Sequence, residues 1–241
     1  MKTWPRQHVL TLIAIALTFA SGAADVASFT RLGDVFTSVM TGNIVLWGLA
    51  VARGSLTLAS HTAVSIAGYI AGVAVGTWVA HSFKEDEPSQ DGVLPSHVIW
   101  VLLAELTLLA GFMVGWEVTG ASPAGWAQFC LLATLAAAMG VQSSAVNDMG
   151  LTQVSTTYLT GTLTGLVSSL VSPGQDTPHG GRRIGVLIGL VAGASLCGLF
   201  VATAADAVPA LPLAALVATL VLATGPDWRP ARWRERARSD G

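Results

Sequence analysis

Two carboxylic acids in this sequence stand where an apolar surrounding tolerates them least. Asp25 lies near the end of an apolar run over 8–29, and Glu105 lies inside another over 98–116. An ionisable side chain within a membrane span costs about 2.5–3.5 kcal/mol on insertion scales. One that is present is therefore expected to hold a proton, a cation, a polar solute or a partner helix. Hydrogen-bonding residues recur in other apolar runs: Thr41-Gly42-Asn43, Gln142 and Thr160-Gly161-Thr162, with Asn147 and Asp148 nearby. No Lys or Arg falls in the core of any run, so Glu105 has no cationic partner in the sequence and could take up a proton or a metal cation. Asp25, Thr41, Gly42, Asn43, Glu105, Gln142, Thr160, Gly161 and Thr162 are thus the candidate solute- and ion-binding residues, and the chemistry they suit is proton- or cation-coupled transport. Plainer readings stand beside this one. Intramembrane Thr, Asn and Gln often act only as interhelix glue, worth about 0.6 kcal/mol each. Asp25 can be read as an interfacial residue near Arg31, and Glu105 as a carboxyl bonded to a neighbouring helix.

The elements that must position these groups are apolar spans. Of 241 residues, 52% are apolar and 11% charged, against about 25% charged in an ordinary globular domain. Mean hydropathy is +0.63. These values exclude a soluble monomer, a disordered chain and, with two cysteines, a disulfide scaffold. Cys130 and Cys197 read as packing residues. Eight apolar runs are near the ~20 residues that cross a hydrocarbon core about 30 Å thick: 8–29, 36–53, 60–81, 98–116, 125–146, 153–171, 184–204 and 208–224. The second and sixth are the weakest, and six or seven spans result if these are re-entrant. The first is expected to be a span and not a signal peptide, because its apolar run continues through Ala27 and matches a later stretch.

Charge supports a polytopic arrangement. With the N-terminus in the cytoplasm and eight crossings, ten of the 12 Lys/Arg fall inside: Lys2, Arg6, Arg53, Arg182, Arg183, Arg229, Arg232, Arg234, Arg236 and Arg238. Arg31 and Lys84 are left outside, a strong positive-inside bias, beside an acidic loop over 82–97. Most tryptophans fall near span ends, as in an aromatic belt. Under this topology Asp25, Thr41–Asn43, Glu105, Gln142 and Thr160–Thr162 all sit in the outer half of the membrane.

Residues 21–43 resemble residues 139–162. Thr41-Gly42 pairs with Thr160-Gly161 and Gly22 with Gly140, and 68–80 matches 189–202. The expected architecture is therefore an all-α membrane bundle of about eight spans, a single membrane domain over 1–225 built of two parallel four-span repeats over about 8–120 and 121–225. Four spans per half would make the repeats parallel; three would make them inverted. Glycines at every fourth position, Gly68, Gly72 and Gly76 and again Gly185, Gly189 and Gly193, put small residues on one helix face. The spans that carry them are expected to pack tightly, against each other or in a dimer. A glycine between polar residues at Thr41-Gly42-Asn43 could unwind its helix, as in transporter sites.

The motifs G-x-x-D at Gly22–Asp25, F-x-x-x-M-T-G-N at Phe36–Asn43, M-G-x-Q at Met139–Gln142, T-T-x-x-T-G-T at Thr156–Thr162 and A-E-L-x-L-L at Ala104–Leu109 resemble the signatures of the YoaK-like membrane proteins, a bacterial family of unknown function. The likeness runs over about 12–222. It departs at Ala23-Ala24, where the family usually has a bulkier residue. The resemblance implies an integral inner-membrane protein and supplies no substrate.

The five histidines (His8, His61, His81, His97 and His179) are scattered, and no H-x-x-x-H, C-x-x-C or phosphate loop occurs. No metal, cofactor or enzymatic activity is expected. The Arg-rich tail over 226–241 is expected in the cytoplasm, where its position beside a span suits anionic lipid headgroups and not nucleic acid. The leading function is a small-solute transporter or exporter in the bacterial inner membrane, with both termini cytoplasmic. Its expected partners are the lipid bilayer, a small solute, protons and a second copy of the chain. A membrane scaffold or assembly partner is the alternative, and an intramembrane lipid-modifying enzyme a weaker one.

Overall fold

The computed structural model describes residues 6–84, 93–149, 159–171 and 180–224. Lys2, the acidic residues Glu85, Asp86, Glu87 and Asp91, the Thr156-Thr157 start of the second motif and the tail over 226–241 lie outside the described residues. The regular elements described are all helices: α1 (Arg6–Arg31), α2 (Met40–Arg53), α3 (Leu56–Ser82), α4 (Ser96–Val118), α5 (Gly125–Asp148), α6 (Leu159–Val171), α7 (Gly180–Thr203) and α8 (Ala210–Thr224). A single 3-10 turn, Ala205–Ala207, precedes α8.

Six of them are long and apolar enough to cross a membrane: α1, α3, α4, α5, α7 and α8 with its preceding turn. The other two, α2 and α6, have 14 and 13 residues. At 1.5 Å per residue they reach about 20 Å, short of a hydrocarbon core about 30 Å thick. The polytopic bundle of helices is therefore present, with six candidate crossings among the described residues in place of eight.

That count reverses the relation between the halves. Gln128 near the start of α5 donates to Arg31 O at the end of α1 (3.1 Å), while Gln142, far along α5, donates to Leu17 O (3.1 Å). So α1 and α5 run antiparallel. The halves are inverted and not parallel as the eight-span count required, because α2 returns the chain to the face where α1 ended, and α7 starts on the face where α5 ended. Arg6 donates to Val93 O just before α4, and Arg182 at the start of α7 donates to Thr11. These groups mark one face of the bundle, the N-terminal face. Arg31, Gln128, and Trp116 with its hydrogen bond to Ala205 O mark the opposite, distal face. Arg53 consequently lies distal and Lys84 at the N-terminal face, so these two exchange sides relative to the eight-span reading.

Glycine contacts define the packing. A Cβ on Gly72 would stand 2.0 Å from Ala137 O of α5, and one on Gly193 would stand 2.1 Å from Phe19 O of α1. Reciprocally, a Cβ on Gly22 would lie 2.3 Å from Leu190 O, and one on Gly140 would lie 2.2 Å from Tyr69 O. Gly68 and Gly189 meet Ala133 O and Ile15 O, and Gly76 and Gly185 meet the side chains of Ser144 and Ile15. Thus α3 and α7 do pack closely, but each on the first helix of the other half and not on one another. The reason is that α1 and α5 carry the matching glycines. Between these pairs, α1, α4, α5 and α8 adjoin and supply most of the buried apolar core, including Leu17, Leu109, Phe112, Leu135 and Leu216. Outward faces of α2, α3 and α7 expose Val45, Ile70, Trp78, Ile188 and Val191, as suits contact with lipid.

Candidate functional site

The break between α1 and α2 builds the densest polar cluster. After Arg31 the chain leaves the helix at residues 32–39. Ser28 donates to Val35 O (2.8 Å) and folds this segment back along α1. The chain thereby re-enters the bundle to the level of Asp25, six residues or about 9 Å short of the end of α1. From there α2 runs outward again beside the start of α3, because Asn43 bonds Ser65, ten residues into the α2–α3 hairpin's second arm. The unwound segment expected at Thr41-Gly42-Asn43 thus falls just before it, and those three residues form the first turn of α2.

Asp25 fastens this segment. Its Oδ1 accepts the backbone N–H groups of Thr37 and Ser38, both at 2.8 Å, and the Thr37 hydroxyl at 3.2 Å; its Oδ2 accepts the Ser38 hydroxyl at 2.6 Å. Val39, the N-cap of α2, supplies no side-chain cap. The carboxylate instead holds the two residues before this N-cap, near the helix end where the dipole favours an anion. Asp25 is buried and its hydrogen bonds do not include Arg31, whose guanidinium donates to Val201 O (3.1 Å).

Asn43, wholly buried, closes the other side. Its Oδ1 accepts Phe36 N–H (2.9 Å), and its Nδ2 donates to Phe36 O (2.6 Å) and Ser65 Oγ (3.1 Å). Thr41 points outward and is exposed, and Gly42 is half-buried against Phe36. Above the cluster, His61 places its ring nitrogens 2.7 Å from Thr57 O and 3.2 Å from Gln128 Oε1, and it stacks on Phe129. Gly33 lies beneath that ring with φ +108°, and an added Cβ would approach it to 2.1 Å. Gly33→Ala meets both an unfavourable dihedral and a filled space. Its expected cost is about 1–3 kcal/mol, to be read as a lower thermal midpoint of the purified protein.

The other candidates do not join this cluster. Gln142 donates from Nε2 to Leu17 O (3.1 Å) and Ser21 Oγ (2.8 Å), which ties α5 to α1. Thr160 and Gly161 are exposed on α6, and Thr162 is buried. Glu105 sits on the buried face of α4, 0% exposed, with neither carboxylate oxygen hydrogen-bonded. It enters from the N-terminal face, about 14 Å along α4, so the shared outer-half depth does not hold. The residues that sequence reasoning missed are Thr37, Ser38, Ser65, His61 and Gln128. Thr37 and Ser38 lie within the F-x-x-x-M-T-G-N motif at its variable positions, and nothing in spacing links Ser65 or Gln128 to them.

A family model described as "Protein of unknown function (DUF1275)" matches residues 13–224, which takes in most of α1 and all of α2 to α8. The chain belongs to that family. It is also 30% identical over 160 residues to the "UPF0700 transmembrane protein YoaK" of Bacillus subtilis (strain 168), an alignment that covers 66% of each chain. The chain thus spans about two-thirds of that relative's length. No solved structure matches it. With six long apolar helices and a transmembrane relative, this DUF1275 member is a multi-pass membrane protein whose helices contact the bilayer.

Proposed function

We propose that the protein is a small-solute transporter or exporter of the bacterial inner membrane, driven by a proton or cation gradient, with both termini in the cytoplasm and no enzymatic activity of its own. The observation that carries this reading is the pair of inverted halves, each with a short second helix packed along its third. In α2 that helix starts inside the bundle, behind an unwound segment. Inverted repeats with discontinuous helices are how many transporters place a solute site between two elements that rock against each other. The cytoplasmic N-terminal face is supported by Arg6, Arg182, Arg183 and Lys84 there, against Arg31 and Arg53 on the distal face. A second reading is a membrane scaffold or assembly partner. It is favoured by Asp25 and Asn43, whose hydrogen bonds are all spent on the protein itself.

A solute need not be known to separate the two. Ser21 lies buried between α1 and α5, hydrogen-bonded to Gln142. In a protein with Cys130 and Cys197 replaced, Ser21→Cys is expected to react with a membrane-impermeant thiol reagent from either side of the membrane, as alternating access requires. Reaction from neither side supports the scaffold. The same assay with Lys84→Cys and Thr119→Cys is expected to label the first from the cytoplasm and the second from outside, and the reverse pattern inverts the orientation.

A further inference from the structure

We infer that Glu105 and Gln142 form a buried proton-binding site, in which Glu105 carries an exchangeable proton and donates its hydrogen bond to Gln142 Oε1. The proposal rests on the transport reading in one respect: it names the proton as the coupling ion.

Among the described residues, the buried side-chain oxygens left without a partner are Glu105 Oε1, Glu105 Oε2 and Gln142 Oε1. All three are acceptors. An unpaired buried acceptor costs about 1–3 kcal/mol, more if charged. One proton on Glu105 turns an acceptor into a donor and satisfies two of the three at once. Helix register puts the two residues at about one level. Helix α4 runs from the N-terminal to the distal face and α5 runs back, with Gly115 opposite the Leu131 side chain. Counting equally far down each helix from that contact reaches Glu105 on α4 and Val141 on α5, one residue from Gln142. The Gln142 amide is held by its bonds to Leu17 O and Ser21 Oγ, which leaves Oε1 as its unused end.

The surroundings supply no counter-charge. Helix α4 packs on α5, α3 and α8. There is no charged residue in α8 over Ala210–Thr224, and the one charged residue of α5 is Asp148 at its end. The titratable groups of α3 are His61, bonded to Thr57 O and Gln128, and Tyr69, bonded to Ser143, with His81 in its last turn. On α4 itself His97 and Glu117 lie at the two ends. Asp25 on α1 already accepts four hydrogen bonds. Thr219 of α8 is buried and donates to its own Ala215 O. A hard metal cation takes six or more oxygens, which these three do not provide; a proton needs two.

Infrared spectroscopy of the whole protein in lipid vesicles tests this. At neutral pH a protonated-carboxyl band is expected that shifts in D2O, disappears in Glu105→Gln, and moves to higher wavenumber in Gln142→Leu as the acceptor is lost. A spectrum without a band assignable to Glu105, or a band indifferent to D2O, overturns the site. So does loss of the band on adding sodium at constant pH, which makes it a metal-cation site. If Gln142→Leu fails to fold, the Glu105→Gln and D2O comparisons still decide. No solute is involved, so the band's absence while Ser21→Cys reacts from both faces removes the proton site alone. Its presence with an unreactive Ser21→Cys removes the transport reading alone.

Discussion

Gly72→Val and Gly193→Val are each expected to prevent the bundle from assembling, with the purified protein aggregating or eluting as a broad species. The Cβ alone would stand 2.0 and 2.1 Å from the carbonyl oxygens of Ala137 and Phe19. Those are backbone atoms of rigid neighbouring helices, so no side-chain rotation relieves the contact. Overpacking in a side-chain core costs about 1–3 kcal/mol; here two whole helices must separate, and the loss exceeds that range. In a membrane the association of helices depends on such close approach, since lipid tails are as apolar as leucine. Gly161→Val serves as the control. Among the described residues outside its own helix, no atom lies within 4 Å of an added Cβ, and the variant is expected to leave thermal stability unchanged. Equal behaviour of all three variants would remove the glycine contacts as the cause of assembly.

Asp25→Ala is expected to lower stability by about 2–6 kcal/mol, because it leaves two buried N–H groups without an acceptor at about 1–3 kcal/mol each, and the Thr37 and Ser38 hydroxyls as well. Asp25→Asn keeps the volume but turns an NH2 group toward donors, so it is expected to recover part of the loss and no more. Asn43→Asp, which still accepts Phe36 N–H but can no longer donate to Phe36 O, is expected to fall in the same range. Thermal unfolding in detergent is the measurement. A stable Asp25→Ala protein that has lost only its transport would instead make Asp25 a solute ligand, with the loop held by other means.

The polar residues separate by what hydrogen-bond geometry does with them. Asp25 and Asn43 were legible as buried polar groups from type and context, but their employment was not. Thr37 and Ser38 stand at unremarkable positions of a loop, and Ser65 and Gln128 come from helices that only folding brings near. Thr41, Thr160 and Gly161 share the motif with Asn43 and Thr162, yet helical rotation turns them outward. Glu105 was legible most fully, because the two features that single it out, an apolar surrounding and the absence of a cation, are both visible along the chain. Its proposed pairing with Gln142 depends on the antiparallel register of α4 and α5.

Composition and the length of the apolar runs by themselves determined the solvent, the all-helical class, the positions of eight helices and the weakness of the second and sixth. Those properties follow from local hydrophobicity and length, which the sequence carries residue by residue. The direction of the halves was decided only in three dimensions. Arg53 and Lys84 exchange faces between the eight- and six-crossing arrangements, so the charge bias is the same in both and cannot choose between them. The choice came from the loop over 32–39, folded back on Asp25, which turns α2 around inside the bundle. A reversal of that kind rests on hydrogen bonds between residues far apart in sequence, and no local pattern records it.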